Sequence, residues 1–144
     1  MIEEKIAQSK QTLLEENERQ YGAEIREKYG DKAVEEANAR FISLSPEQLT
    51  EGERLRIAYE QMLIAAAAQG DAAGDLAQQA CEMHRQWLVI FAPAYSREYH
   101  ISLGELYVAD ERFKAYYDKI APGCAEFFRD AINVYCQRAA QPEI

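Results

Sequence analysis

The sequence predicts an all-α domain, and three observations carry that reading. Apolar residues recur at i, i+3, i+4 and i+7 in one segment after another, with capping residues, prolines and glycines punctuating the series. No stretch sustains strand-like alternation, and no Asn-Gly or Asp-Gly pair marks a hairpin. At 144 residues the chain is also long enough to bury one continuous core without disulfides or metals.

Residues 1–40 differ in kind from the rest. Seventeen of these forty positions are charged, against 24 of the remaining 104, so little apolar area is available to hold them in place. Leu14, Tyr21, Ile25 and Tyr29 form a thin stripe at roughly helical spacing, Gly22 weakens the helix from within, and Gly30 is read as its C-cap. The segment is expected to be an N-terminal helical arm or lid of one or two amphipathic helices, with residues 41–144 as the helical core of a single domain.

Ser45-Pro46-Glu47-Gln48 then combines an N-cap serine, a first-turn proline and a glutamine at the capping-box position. The helix it starts should bury Leu55, Tyr59, Met62, Leu63 and Ala66 and stop at Gln69-Gly70. After a connector at 70–74, a helix from about Asp75 to Phe91 is apolar on two overlapping stripes, so it is expected to be contacted on more than one side. Pro93 breaks the chain, and Ser96 or Arg97 opens a helix sending Tyr99, Leu103, Leu106 and Tyr107 inward. Asp110 suits the N-cap of a short helix, where its carboxylate accepts from free first-turn amides; Phe113, Tyr116, Tyr117 and Ile120 form its stripe. Pro122 and Gly123 introduce the last helix, with Pro122 placed in its first turn. That helix buries Phe128, Ala131, Ile132, Tyr135 and Cys136.

A formal charge of −9, with no cluster of Lys and Arg, argues against nucleic-acid binding by these residues and against docking on an anionic membrane. The polar N-terminus carries no signal-peptide core, and the longest apolar run, Met62 to Ala68, is far too short to span a bilayer. Cys81, Cys124 and Cys136 are odd in number and sit in helical sequence, which reads as buried free thiols. A cytoplasmic protein is expected.

The catalytic motifs that a small enzyme needs are missing: no Gly-rich phosphate loop, no nucleophile elbow, no His-Glu-x-x-His. Cys81 and His84 share a helical face and His100 could stand opposite, but two ligands with a conceivable third fall short of a four-ligand structural zinc site. Both histidines are read instead as hydrogen-bonded or packed beside a pocket, with no metal and no cofactor. Cys124 is read as a packed or semi-exposed thiol. Ten of the fifteen aromatic residues lie between Trp87 and Phe128, and tyrosines predominate among them. Buried phenols need partners, so this block fits either a core or an apolar cleft with a few polar tips, and composition leaves both open.

His84-Arg85-Gln86-Trp87-Leu88, the Tyr99-His100 pair and the run Leu103-Gly104-Glu105-Leu106-Tyr107-Val108-Ala109-Asp110-Glu111-Arg112-Phe113 resemble the TipAS antibiotic-recognition domain. The Pro122-Gly123 ending with Phe127 to Ile132, and the Tyr29-Gly30-Asp31 step, fit the same family, so the resemblance spans roughly residues 20–138. It implies a globin-like helical bundle with a cleft for bulky hydrophobic antibiotics, and an N-terminal arm, loose when empty, that closes over the ligand. It also implies a place beside a DNA-binding winged helix and a dimerisation helix in transcription regulators; neither is among these residues. Family members that capture thiopeptides covalently use a cysteine at a position that falls on Tyr95 here, so the resemblance implies non-covalent binding.

The resulting expectation is a sensor or sequestering domain, not an enzyme, that binds a bulky hydrophobic or aromatic antibiotic-like molecule, with a homodimer left open. The residues expected at the ligand are His84, Trp87, Leu88, Phe91, Tyr95, His100, Leu103, Tyr107 and Phe113, with Tyr21 and Ile25 from the arm. Trp87, Phe91, Tyr95, His100, Tyr107 and Phe113 are expected to line one continuous cleft. Asp110 is expected to serve structure alone. The alternative is an interaction module whose cleft receives a partner's amphipathic helix.

Overall fold

A computed structural model describes residues 2–92 and 94–140, and the side chains of 8–20, 22–27, 29–92 and 94–138. Within them run seven helices and no strand: α1 (Ile2–Tyr29), α2 (Asp31–Ser43), α3 (Pro46–Gln69), α4 (Asp75–Phe91), α5 (Arg97–Ala109), α6 (Glu111–Ile120) and α7 (Cys124–Ala140). The break expected at Pro93 and the side chain of Tyr21 lie outside the described residues.

The helix starts follow the sequence closely. Ser45 accepts from the Gln48 amide while the Gln48 side chain accepts from the Ser45 amide, a complete capping box. Ser96 caps α5 through the Tyr99 amide, and Asp110 caps α6 through the Arg112 amide. Gly70 ends α3 at φ 72, a left-handed cap that a side chain would strain. Pro122 departs from expectation. It precedes α7 in a turn closed by the Cys124 amide on the Ala121 carbonyl, with Gly123 at φ 72, the pattern of a type II turn. The first-turn service falls to Asp118, whose carboxylate accepts from the Ala125 amide.

The core lies among α3, α4, α5 and α7 around Phe128, Leu63, Ile132 and Cys81, all excluded from solvent. Burying a side chain such as Phe128 contributes about 1.5–3 kcal/mol. Cys81, Cys124 and Cys136 are free and buried in this mass. α5 and α7 approach closely at Gly104, where an added Cβ would lie 3.4 Å from the Arg129 Cα. α5 turns this side to α7: its buried face is His100, Gly104 and Tyr107, while Tyr99 is exposed and Leu103 and Leu106 only half-buried. In α6 only Tyr117 is buried, although four residues share its apolar stripe.

α1 and α2 form an antiparallel hairpin. Lys10 reaches the Ile42 and Leu44 carbonyls, while Arg26 pairs with Asp31 and Glu35 close to the Gly30 corner. α2 buries no residue, and the first buried apolar side chain described along the chain is Leu44. Polar groups do much of the anchoring. Arg40 donates to the Ile90 carbonyl at 2.9 Å and to that of Val89, satisfying acceptors at the end of α4. No helix among the described residues is long and apolar enough to cross a membrane.

Candidate ligand cleft

A cleft of about 570 Å³ opens between the α1–α2 hairpin and the core. Its floor comes from helix phases the core has already fixed: Tyr59 on α3, Trp87 on α4, and Leu106 and Tyr107 on α5. Phe113, Tyr116 and Tyr117 of α6 form one wall. This explains the surplus stripe on α6: Phe113 is 40% and Tyr116 45% exposed because they face the cleft. Asn17, Ile25 and Tyr29 of α1 form the opposite side.

The charged residues of the lining are Arg56, Asp110 and Arg112. Arg56 pairs with Glu53 and Glu60, and Glu60 also accepts from the Tyr116 hydroxyl. Arg112 reaches Glu24 of α1 at 3.1 Å and lies 3.6 Å from Asp110, so it bridges the hairpin and the core beside the cleft. Asp110 therefore does more than the sequence suggested: it caps α6 and also lines the cleft.

Of the residues expected at the ligand, the cleft brings together Trp87, Tyr107, Phe113 and Ile25. His84 sits directly behind them, fully buried, its ring stacked on Trp87 at 5.9 Å and edge-on to Tyr107. Leu88, Phe91, Tyr95, His100 and Leu103 do not line it. Leu88 is buried, and Leu103 packs against the core. The Phe91 ring lies over Gly52 of α3, so close that a Cβ there would meet it at 2.4 Å. Tyr95 and His100 lie beyond His84, away from the cleft, because the phase of α5 turns His100 inward. A single continuous cleft through all six aromatic and histidine positions is thus not what the chain builds.

Behind the floor runs a chain of four side chains. The Tyr107 hydroxyl lies 3.1 Å from His84 Nε2, His84 Nδ1 lies 2.8 Å from His100 Nε2, and His100 Nδ1 lies 2.9 Å from the Tyr95 hydroxyl. All four ring nitrogens of the two histidines thus have protein partners. Burial lowers His84 well below the usual histidine range and His100 to about 4, so both rings are neutral at pH 7. Burial pushes the Cys124 thiol up to about 11 and the Cys81 thiol higher still, which keeps both protonated.

Sequence reading missed Asn17, Arg56, Tyr59, Leu106, Arg112, Tyr116 and Tyr117 as cleft residues. The signal available was the stripe of α6, too aromatic for a ten-residue helix that closes over one face. Arg56 and Asn17 carry no such signal.

The fold and the site together define a helical domain built around an aromatic-floored cleft that a second, thinly packed helix pair partly covers. The chain belongs to the TipAS antibiotic-recognition domain family, whose model matches residues 21–135. It is similar to the HTH-type transcriptional activator TipA of Streptomyces coelicolor and of Streptomyces lividans. The identity to each is 32% over 120 residues, covering 78% of this chain and 46% of theirs. It is also similar to the HTH-type transcriptional activator mta of Bacillus subtilis, 27% identical over 131 residues, 90% of this chain and 50% of that one. The chain thus spans about half the length of these curated relatives. The solved structure of Streptomyces lividans TipAS in complex with nosiheptide superposes with a TM-score of 0.67 at 30% identity, covering 86% of this chain and 88% of that one. The fold is accordingly the globin-like helical bundle of the family.

Proposed function

We propose that this domain binds a bulky hydrophobic or aromatic antibiotic-like molecule in the cleft, without covalent chemistry, as a sensor or sequestering module. The observation that carries the reading is the cleft itself: five aromatic side chains from α4, α5 and α6, joined by Tyr59 of α3, face a space of drug-like size. Membership in an antibiotic-recognition family, and the nosiheptide bound by the similar TipAS, support that ligand class. The residues assigned to ligand contact are Trp87, Tyr107, Phe113 and Ile25, with Tyr59, Tyr116 and Tyr117; His84 acts from behind. Non-covalent capture follows from the thiols, because all three cysteines are buried and Tyr95 carries none. The α1–α2 hairpin is the lid, presenting Ile25 and Tyr29 to whatever fills the cleft. A partner helix is the less favoured occupant, since α1 already lies along that side.

Trp87 is the chain's single tryptophan and lines the cleft, so its fluorescence reports occupancy. Titration with nosiheptide and a panel of hydrophobic antibiotics should give a saturable change for at least one compound, lost in Phe113→Ala. No saturable change with any compound would overturn the assignment.

A further inference from the structure

We infer that Tyr107, His84, His100 and Tyr95 act as one hydrogen-bond relay with two opposite polarities, making Tyr107 a specificity residue that can meet either a donor or an acceptor on the ligand. The ligand clause rests on the reading of the cleft above; the relay itself does not.

Each ring is inaccessible to solvent and neutral, so each carries one N–H and one bare nitrogen. The 2.8 Å contact between His84 Nδ1 and His100 Nε2 needs one hydrogen between them, neither two nor none. If His84 Nδ1 carries it, His84 Nε2 is bare and takes the Tyr107 proton, while His100 Nδ1–H donates to the Tyr95 oxygen. If His100 Nε2 carries it, every bond reverses: His84 Nε2–H donates to Tyr107, and the Tyr95 hydroxyl donates to His100 Nδ1. Any mixed arrangement places two hydrogens or two lone pairs face to face in a buried site. The two histidines must therefore share one tautomer, both Nδ1–H or both Nε2–H.

The cleft feels the difference through Tyr107. In the first polarity its proton is spent inward, and it can only accept. In the second it is free to donate, either towards Tyr117, whose ring lies 4.7 Å from its own, or to a ligand acceptor. A ligand that presents an acceptor to Tyr107 selects the second polarity, and the change is registered at the Tyr95 hydroxyl. That group is half-buried on the connection between α4 and α5, beyond two buried rings from the cleft. The cleft can thus satisfy ligands of opposite hydrogen-bonding character without moving its backbone.

The chain has only two histidines, so side-chain nitrogen NMR of ¹⁵N-histidine protein reads the relay directly. At neutral pH and without ligand, both rings should show the same tautomer, or the same average of the two. Tyr95→Phe leaves His100 Nδ1 without its partner. An orphaned lone pair is more tolerable than an orphaned N–H, so both rings should become Nε2–H. Tyr107→Phe should, by the same logic at the other end, drive both rings to Nδ1–H. Opposite tautomers in the unmodified chain, a charged ring, a variant whose two rings differ from each other, or the same tautomer in Tyr95→Phe and Tyr107→Phe would overturn the relay. The shared-tautomer rule in the unmodified chain decides the matter even where a variant fails to fold. Failure of nosiheptide and the antibiotic panel to bind would count against the cleft reading alone, because the relay is tested on empty protein.

Discussion

The α1–α2 hairpin and the α3–α7 core are built from the same kind of secondary structure but held by different forces. In the core, each helix from α3 to α7 places at least one residue in a continuous buried mass. In the hairpin, α2 buries nothing, and anchoring rests on Lys10 against the Ile42 and Leu44 carbonyls and on Arg40 against Ile90. Helix length does not compensate: α1 is 28 residues long, yet helices draw most of their stability from packing an apolar face. The cleft lies where these two regimes meet. One side is set in the buried core, and the other is held largely by polar contacts, which is the asymmetry the proposed lid requires.

Substitutions should expose this contrast in order of size. Phe128→Ala, in the core, should cost about 3–5 kcal/mol in chemical denaturation, whereas Ile25→Ala in the hairpin should cost well under half of that. Acid should act next, and first on the core. His84 and His100 are lowered in the folded state, so the unfolded chain binds the extra protons. Stability is then full above about 6.5 and falls as pH drops from there, by about 1.4 kcal/mol per pH unit per histidine, until His100 protonates in the fold near 4. Glu82, held down to about 2 by Arg85 and Tyr135, loses its contribution only below its ordinary 4.5, so melts between pH 6.5 and 4.5 isolate the histidines. A flat stability profile across that window would mean that the rings are not buried neutral.

Trp87→Ala should lower ligand affinity about tenfold or more by calorimetry, as truncation of a central aromatic contact does. Asp110→Ala should cost about 1 kcal/mol through the lost cap, and Asp110→Asn, which can still accept from the Arg112 amide, much less. The smallest effect belongs to the bridge between the regions. Glu24→Gln should change global stability by under about 1 kcal/mol, because the Arg112–Glu24 pair is half exposed, while measurably loosening α1 in exchange experiments.

What the sequence disclosed divides along the same line. Caps and turns were legible because they are local: Ser45, Asp110 and Gly70 act within four residues of themselves. The Leu103–Phe113 run pointed to the family, and the charge of residues 1–40 pointed to a thinly packed arm. Helix phase was less legible. Periodicity puts Tyr99, Leu103, Leu106 and Tyr107 on a plausible inner face of α5, but of these only Tyr107 is buried, alongside His100 and Gly104 where the helix packs on α7. That choice is made by α7, about 25 residues away in sequence, and no local pattern encodes it. The cleft suffered accordingly: Trp87, Tyr107 and Phe113 were found, while Tyr95 and His100 belong behind its floor and Arg56 and Asn17 left no trace.

Amide hydrogen exchange followed by mass spectrometry, with and without saturating nosiheptide or whichever panel compound binds, tests the lid most directly. In free protein, α1 and α2 should exchange faster than the segments around Trp87 and Phe128. On ligand addition the hairpin should slow markedly while the core changes little. Hairpin protection that equals the core's in free protein, and does not change on binding, would make α1 and α2 ordinary parts of the bundle and contradict the lid.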